Sequence, residues 1–453
     1  MSFNLPTQRL DSIVERVCVG FVGSCNKDYT DSNHGVPMVR TTNLTGHQID
    51  FSDIKYISNE FHQKNKKSQL KRGDILVARH GENGLPSIVT SNDEMNCLNV
   101  VIVKPIVDKT LIDNYYLLYA LKSPFVVQQI KSAVGGSVQG VVNTKAIAEL
   151  QIPFPERPVR EHIVNHLLNL DSKIEINKGL NQTLEEMAQA IFKSWFVDFD
   201  PVKAKMNGEL PDGMDAATAS LFPEKLVESE LGLIPEGWDI KQLGDVSTFQ
   251  NGYAFKSKEL TTDTSSTTHK VFKMGNIRKG GGFNSKGSKD YFNLNSNPKV
   301  ERYLIKKGDL LMSMTDMKNN VALLGHTALM PVSDEYLVNQ RVGLIRKSDK
   351  HYLNYPFLYY QTNEPLFLTD IRSRANSGVQ VNLSTKGIKE TLLVVPPKEV
   401  HDAFDKQVSS FLEMIFSNDK QSEELASLRD LLLPKLLSGE INLETTEELV
   451  EVN

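Results

Sequence analysis

The chain has few cysteines, and their spacing suggests neither a disulfide framework nor a metal site. Its 453 residues include Cys18, Cys25 and Cys97, an odd number without a CxxC pair. It also lacks a recognisable signal peptide and any apolar run approaching the roughly 18 residues that a membrane helix needs. We therefore expect a soluble, cytoplasmic protein with no membrane partner.

Catalytic signatures are also missing from the sequence. It contains no GxGxxG loop, no Walker A loop, no HExxH and no Asn/Asp-Pro-Pro-Tyr motif. Glu156, Asp171 and Lys173 have the residue types of a nuclease site, but they lie on a segment with heptad spacing, whereas the ligands of such a site usually converge from strand ends. We expect a chain that is not an enzyme by itself and that binds no metal or cofactor.

Charge is unevenly distributed along the chain. The net charge of −5 combines a basic surplus in residues 239–395, with 22 Lys and Arg against 14 Asp and Glu, with acidic surpluses in residues 156–238 and 396–453. Residues 1–155 are close to balanced, with 16 basic against 14 acidic. A basic module suits phosphate, because neutralising phosphates releases counterions and supplies most of the non-specific affinity for DNA. Solvated surface is the simpler alternative, above all for residues 1–155.

Two regions of the chain repeat each other. At a shift of 241 residues, Thr144, Lys145, Ile147 and Glu149 fall on identical residues, and the match continues without gaps into a second, helix-patterned segment. A repeat unit of this length is a whole domain plus a helix, far beyond the 20–50 residues of a solenoid repeat. Two similar modules suggest a ligand with two similar halves.

Heptad spacing marks the helical part of each repeat. Apolar and amide residues alternate at intervals of four and three, which is typical of a coiled-coil seam. The expected seam residues are Ile163, Leu167, Leu170, Ile174, Asn177, Asn181 and Leu184 in the first helix, and Phe404, Val408, Phe411, Ile415, Asn418 and Leu425 in the second. Buried asparagine in a seam costs stability but specifies register and partner. Ordinary helices lying on their own domains are the alternative.

Composition shifts divide the chain into six segments. We expect a first globular domain at residues 1–155, a central helix at 156–197 and a surface linker at 198–237 that is rich in Pro, Gly and acids. A second globular domain follows at 238–396, then a C-terminal helix at 397–438 and an acidic tail at 439–453. Each domain contains a Lys-x-Gly-Asp sequence before an apolar run, which predicts a tight turn feeding a buried strand and not a binding site.

Side chains suited to base edges and phosphates cluster in expected loops of both modules. Arg and Lys match guanine, and Asn and Gln match adenine. The candidates in the first module are Arg40, Thr41, Thr42, Asn43, Lys64, Lys66, Lys67, Arg79, His80, Ser137 and Gln139. Those in the second are Lys273, Asn276, Arg278, Lys279, Lys318, Asn319, Arg372, Arg374, Asn376 and Gln380. Taken singly, each is better explained as a solvated or turn residue than as a base contact; together they predict a DNA-facing surface.

Three longer sequence segments resemble those of a known family: IPEGW at residues 234–238, LEEMAQAIFKSWFVDF at 184–199 and LRDLLLPKLLSGEI at 428–441. With the two modules and two helices, they resemble the specificity (S) subunit of type I restriction–modification enzymes. The resemblance covers nearly the whole chain. One departure is the first module, which has LPTQ at residues 5–8 in place of the Pro-Glu-Gly-Trp opening.

The resemblance implies an α+β fold, with two similar globular α/β target recognition domains separated by two long helices that form an antiparallel coiled coil. Each domain would read one half of a bipartite target in double-stranded DNA, and the helices would set the spacer. Two methyltransferase subunits would dock on the helices and use S-adenosylmethionine; two restriction/translocase subunits would use ATP and Mg. The alternative function is a non-catalytic coiled-coil scaffold that binds protein partners.

Overall fold

The computed structural model describes residues 5–79, 86–106, 110–134, 144–265, 267–317, 321–376 and 380–441. The chain divides into two compact units. Unit 1 comprises Met1–Lys178 and Asp419–Asn453, and unit 2 comprises Gly179–Asn418. Two long helices, α6 (Arg157–Phe196) and α13 (Lys398–Ser438), each contribute to both units. Among the described residues, none of the helices has the length and apolar character to cross a membrane.

Unit 1 is built from short strands and helices. Its strands are β1 (Thr7–Arg9), β2 (Val14–Val19), β3 (Tyr29–Thr30), β4 (Gly35–Arg40), β5 (Lys55–Ser58), β6 (Gln69–Leu70), β7 (Ile75–Ala78), β8 (Ser87–Ile88), β9 (Met95–Leu98), β10 (Val100–Pro105) and β11 (Gln151–Pro153). Its shorter helices are α1 (Leu10–Ile13), α2 (Asn59–Lys64), α3 (Ile112–Lys122), α4 (Pro124–Val134) and α5 (Thr144–Ala148).

The strands of unit 1 form two main sheets. One has the order β2-β10-β7-β8 and the other the order β3-β5-β4-β9-β6, in which only β4 and β9 run parallel. β1 pairs separately with β11. The strand β7 is buried on both faces, and α3 packs in the same core, with Tyr116 and Tyr119 fully buried.

Unit 2 repeats this plan with additional elements. Its shorter helices are α7 (Asp200–Met206), α8 (Ala216–Ser220), α9 (Leu243–Val246), α10 (Tyr355–Asn363), α11 (Pro365–Ser373) and α12 (Thr385–Lys389). Its strands are β12 (Leu226–Ser229), β13 (Gly232–Pro235), β14 (Asp239–Gln242), β15 (Ser247–Asn251), β16 (Leu260–Thr261), β17 (Thr268–Phe272), β18 (Tyr291–Asn293), β19 (Leu310–Ser313), β20 (Thr315–Met317), β21 (Thr327–Leu329), β22 (Tyr336–Val338), β23 (Val342–Lys347), β24 (Gln380–Asn382) and β25 (Leu392–Val395).

The sheet orders confirm the internal repeat. In unit 2 the order β15-β23-β19-β21 matches β2-β10-β7-β8 of unit 1, and β16-β18-β17-β22 matches β3-β5-β4-β9. The parallel pair recurs as β17 and β22, and the separate pair β1–β11 recurs as β14–β25. The expected α+β fold with two similar domains and two long helices is therefore confirmed.

The long helices run antiparallel inside each unit, as expected. In unit 1, the amide of Asn177 on α6 donates to Gln421 on α13 at 2.9 Å, and Asp171 accepts from Arg429 at 2.6 Å. The residue number of the partner on α13 rises as the residue number on α6 falls, so the two helices run in opposite directions. In unit 2, Asn418 donates to Asn181 at 2.9 Å.

The seam residues lie along this contact. Ile163, Leu167, Ile174, Asn177, Leu184, Phe404 and Val408 are buried, and Leu170, Asn181, Phe411, Ile415, Asn418 and Leu425 are half-buried. On α13 the neighbour Leu412 is buried more deeply than Phe411. Each polar pair of the seam is satisfied by a hydrogen bond between the two helices, which removes the cost of burying an unpaired amide.

Residues 198–237 differ from the linker interpretation. They form α7, α8 and the hairpin β12–β13, and Phe199, Val202 and Phe222 belong to the main core of unit 2. The Phe222 ring packs edge-on against Trp195 at 5.3 Å between centroids. Burial of these large apolar side chains stabilises the packing of residues 198–237 onto unit 2. The segment is therefore part of the folded unit, although its Pro, Gly and acid content is typical of a loop.

The Gly-Asp turns are confirmed as parts of the fold. Gly73 and Gly308 have φ of 92° and 90°, the left-handed region that side chains rarely adopt. A Cβ at Gly73 would lie 2.6 Å from the Asn114 amide, and one at Gly308 would lie 2.8 Å from the Tyr355 ring. Both turns therefore need glycine for conformation and for space.

The aspartate of each turn forms a buried ion pair. Asp74 lies 2.9 Å from Lys104, and Asp309 lies 2.8 Å from Arg346 at the equivalent place. Burial raises the pKa of Asp74, against the opposing effect of Lys104. The hydrogen bond to Asp309 raises the pKa of Arg346. These pairs tie the turn to the neighbouring strand and leave no free carboxylate for chemistry.

Candidate nucleic-acid interface

The segment after β4 is a hydrogen-bonded turn in which Asn43 is buried. The Asn43 side-chain oxygen accepts from the Arg40 N–H at 2.9 Å, and its amide donates to the Asp50 carbonyl at 3.0 Å. The Arg40 guanidinium reaches Asp53. Thr41 is half-buried and Thr42 exposed. This corrects the expectation for Asn43, because its side-chain oxygen and amide are occupied in closing the turn, whereas the Arg40 guanidinium is directed to Asp53 and its role stays a prediction.

The same turn recurs in unit 2. The Asn276 side-chain oxygen accepts from the Lys273 N–H at 2.9 Å, and its amide donates to the Asn284 carbonyl at 2.8 Å. Lys273 forms an ion pair with Asp290. Asn276 is fully buried, so the expectation that it reads a base is corrected in the same way. The repeated Arg/Lys-x-x-Asn spacing is therefore a fold signal.

The other candidate cations described in unit 1 are exposed or half-buried. Lys64 ends α2, Lys66 and Lys67 lie in the following turn, and all three are exposed, as are Lys71 and Arg72 at the Gly-Asp turn. Arg79 directly follows β7 and is half-buried. Lys71 and Arg72 were not among the candidates from the sequence, because the Gly-Asp motif was interpreted only as a turn.

In unit 2 the exposed cations Arg278 and Lys279 follow the Asn276 turn. Arg278 also acts electrostatically on Glu185, whose pKa is raised by burial and lowered in part by hydrogen bonds from Gln189 and Tyr360. The Tyr360 hydroxyl donates to Glu185 at 3.2 Å. Arg278 therefore lies close to the α6 segment of the same unit.

The structure brings four further candidates together around a two-stranded ribbon. β20 and β24 pair antiparallel, with Gln380 opposite Met317. The exposed Asn376 donates its backbone N–H to Asn382 at 3.0 Å. At the end of α11, Arg372 and Arg374 precede this contact. The Arg372 Nε–H donates to the Leu324 carbonyl at 2.9 Å, and Arg374 pairs with Asp370 at 3.1 Å.

Five candidates lie outside the described residues: His80, Ser137, Gln139, Lys318 and Asn319. Across the described ranges, no group of three or more His, Cys, Asp or Glu side chains has a metal-binding arrangement.

A buried polar cluster in unit 1 was not expected from the sequence. Asp171 on α6 accepts from Tyr119 at 2.7 Å and from Arg429 at 2.6 Å, and His47 lies 3.2 Å away. Burial lowers the pKa of His47, while Asp171 opposes that shift. Burial also lowers the pKa of the neighbouring Lys122 to about 8. The cluster links the loop after the Asn43 turn to both long helices, and the distant positions of its members in sequence hid it.

Comparison with known proteins identifies the family. The profile of the type I restriction modification DNA specificity domain matches residues 23–186 and again residues 235–427. The two matches correspond to the two repeats and cover most of the chain.

Individual relatives agree with this match. The chain is 26% identical over 420 residues to the type I restriction enzyme HindI specificity subunit of Haemophilus influenzae, covering 83% of this chain and 88% of that one. It is 26% identical over 345 residues to the MjaIX specificity subunit of Methanocaldococcus jannaschii, covering 75% and 72%. The crystal structure of an S subunit from M. genitalium shares the fold with a TM-score of 0.52, at 16% identity and 96% coverage of both chains. The chain therefore belongs to the type I restriction–modification DNA specificity family.

Proposed function

We propose that this chain is the sequence-specific DNA-binding subunit of a type I restriction–modification complex, and that each unit reads one half of a bipartite target. The observation that carries the proposal is the duplicated sheet order, with a pair of antiparallel helical segments in each unit. Two copies of one fold suit two half-sites in one DNA duplex. The basic surplus of residues 239–395 suits the phosphates that flank a half-site.

The helices supply the spacer and the docking surface in this proposal. Large apolar residues are exposed on them: Ile176, Leu428 and Leu431 in unit 1, and Leu180, Met187 and Met414 in unit 2. Exposed apolar rows on a helix suit another helix or a subunit surface. We assign these faces to methyltransferase subunits.

The chemistry belongs to the partners in this proposal. Two methyltransferase subunits would use S-adenosylmethionine, and two restriction/translocase subunits would use ATP and Mg. The chain itself would bind no cofactor, would have no catalytic residues and would act in the cytoplasm.

Electrophoretic mobility shifts of the complex co-purified with its methyltransferase subunits test the proposal. The target is first identified by methylome sequencing of the host, and DNA carrying it is compared with scrambled DNA of equal length over a salt series. We expect tighter binding of the target at every salt concentration, because phosphate contacts weaken with salt while base contacts retain discrimination. Salt-sensitive binding that ignores sequence would contradict base reading and would favour the scaffold function.

A further inference from the structure

The ribbon β20–β24 of unit 2 ends in a methionine opposite a glutamine. The register pairs Thr315 with Asn382 and Met317 with Gln380. Because side chains alternate along a strand, Met317 and Gln380 project from the same face of the ribbon. Directly opposed residues have Cβ atoms about 4.5–5.5 Å apart. Met317 is 59% exposed and Gln380 is half-buried.

The base of the ribbon is held by several hydrogen bonds. The Asp316 carboxylate accepts from the backbone N–H groups of Leu323 at 2.7 Å and Leu324 at 3.3 Å. The Leu383 N–H donates to the Met314 carbonyl at 2.8 Å. These bonds restrict the backbone on both sides of the ribbon. Side chains on a backbone restricted in this way lose little conformational entropy on binding.

The surroundings supply polar groups for a DNA backbone. Asn376 is exposed and joined to the ribbon through Asn382, and Arg374 lies two residues before it. Phosphate contacts from Arg and Asn position a protein on DNA, whereas groove contacts carry the sequence information. The ribbon end thus combines an apolar and an amide side chain with the nearby polar groups of Asn376 and Arg374, of which Arg374 is paired with Asp370.

We propose, on the basis of the proposed function, that this ribbon enters the major groove of the half-site read by unit 2. Gln380 would pair with an adenine edge, and Met317 would contact the 5-methyl group of a thymine next to it. The major groove is about 12 Å wide and admits a two-stranded ribbon, whereas the minor groove is about 6 Å wide. Glutamine matches adenine N6 and N7, and an apolar side chain matches the thymine methyl. The ribbon therefore selects A·T base pairs.

A lone exposed methionine is ordinary on a protein surface. Leu366 is such a residue in the same unit: it lies in the first turn of α11 and is 71% exposed. It is not on the ribbon, so Leu366→Ala is the matched control for Met317→Ala.

The first experiment removes single thymine methyl groups from the DNA. Binding of the full chain with its methyltransferase subunits is measured by fluorescence anisotropy at one salt concentration, with each thymine of the target replaced in turn by deoxyuridine. We expect the unsubstituted complex to lose about four-fold in affinity at one thymine of one half-site, the effect of one buried methyl group. The Met317→Ala complex should show no loss at that thymine, and Leu366→Ala should behave as the unsubstituted complex.

The second experiment tests Gln380 with 7-deazaadenine, which lacks the N7 acceptor. The Gln380→Ala complex should bind the target about 5- to 150-fold more weakly, the range for one bidentate base contact. It should no longer respond to 7-deazaadenine at the adenine next to the identified thymine. Base changes in the other half-site should lower the DNA affinity of the Gln380→Ala complex by the same factor as that of the unsubstituted complex.

Equal thymine responses in Met317→Ala and the unsubstituted complex would overturn the ribbon assignment, as would a Gln380→Ala defect spread over both half-sites. In either case, continued preference of the unsubstituted complex for target over scrambled DNA would leave the proposed function standing. Loss of that preference in the unsubstituted complex would remove both proposals.

Discussion

The two units share one order of strands but attach the long helices by different chemistry. In unit 1 the helix segments meet at a buried ion pair, Asp171 with Arg429, supported by the Tyr119 hydroxyl. In unit 2 they meet in an aromatic core, where Phe404 packs against Phe196 at 5.0 Å between ring centroids. The topology is thus retained while the interactions that support it vary.

The residues at equivalent positions of the two repeats show that apolar side chains in unit 2 replace the ion pair of unit 1. At the shift of 241 residues Asp171 corresponds to Leu412, and Arg429 corresponds to Ala188. Both residues in unit 2 are buried in one core. A buried ion pair loses its hydration, so its net contribution is small although each partner depends strongly on the other. The apolar residues Leu412 and Ala188 carry no charge, so removing one does not leave the other as an unpaired buried charge.

The largest expected effect concerns the aromatic core of unit 2. Phe404→Ala should lower the free energy of unfolding by about 3–5 kcal/mol, because it leaves a cavity among packed rings. Urea titration followed by fluorescence measures the change. The exposed Leu366→Ala is the control and should stay within about 0.5 kcal/mol. A loss below about 1 kcal/mol for Phe404→Ala would contradict the assigned role of the aromatic core.

Removing one or both members of the unit 1 ion pair should change the free energy of unfolding by different amounts. Asp171→Ala should cost about 3 kcal/mol, because Arg429 then remains buried without its main partner. The double variant Asp171→Leu, Arg429→Ala, which introduces the residues of unit 2, should recover part of that loss, because Arg429 no longer lacks its partner, while the buried Lys122 ammonium still loses its attraction to Asp171. Urea unfolding measures both. A double variant less stable than the single one would show that the two junctions are not interchangeable.

The buried turn asparagines should have equal effects in the two units. Asn43→Ala and Asn276→Ala should each cost about 1–2 kcal/mol, since each removes two buried hydrogen bonds. Thermal unfolding compares them. A change in DNA sequence preference without a change in stability would restore the base-reading interpretation of these residues.

The smallest effect is a pH dependence centred on unit 1. Burial holds the pKa of His47 below its ordinary value of 6.5 in the folded state, so the unfolded state binds the proton first. The free energy of unfolding should therefore fall as the pH is lowered below about 6.5, by about 1.4 kcal/mol for each unit of pKa difference. Denaturant midpoints measured from pH 7.5 to 5.0 should fall less steeply in His47→Gln.

Burial also lowers the pKa of His326 in unit 2. The double variant His47→Gln, His326→Gln should therefore flatten the profile further. An unchanged slope in both variants would show that neither histidine contributes to the acid sensitivity.

Sequence patterns predicted the parts of the fold that depend on local or periodic signals. The repeat, the two long helices and the Gly-Asp turns are examples, because heptad spacing and glycine conformation are readable from neighbouring residues. Residues 198–237 were harder: their Pro, Gly and acid content indicated a linker, while Phe199 and Phe222 pack into the core of unit 2.

Candidate DNA contacts were less predictable. Asn43 has the residue type of a base contact, but the turn uses both polar groups of its side chain. Met317 has no sequence signal for DNA binding and is singled out only by its place opposite Gln380. Residue type alone does not tell an exposed amide from a buried one.

The amino-acid sequence by itself determined the duplication, the helical seams and the family, since these follow from spacing and residue identity along the chain. Only the tertiary structure decided that Asp171 meets Tyr119 and Arg429, that Asn43 closes a turn and that Met317 lies beside Gln380. The reason is physical: burial and pairing depend on contacts between residues far apart in sequence, and those contacts form only when the chain folds.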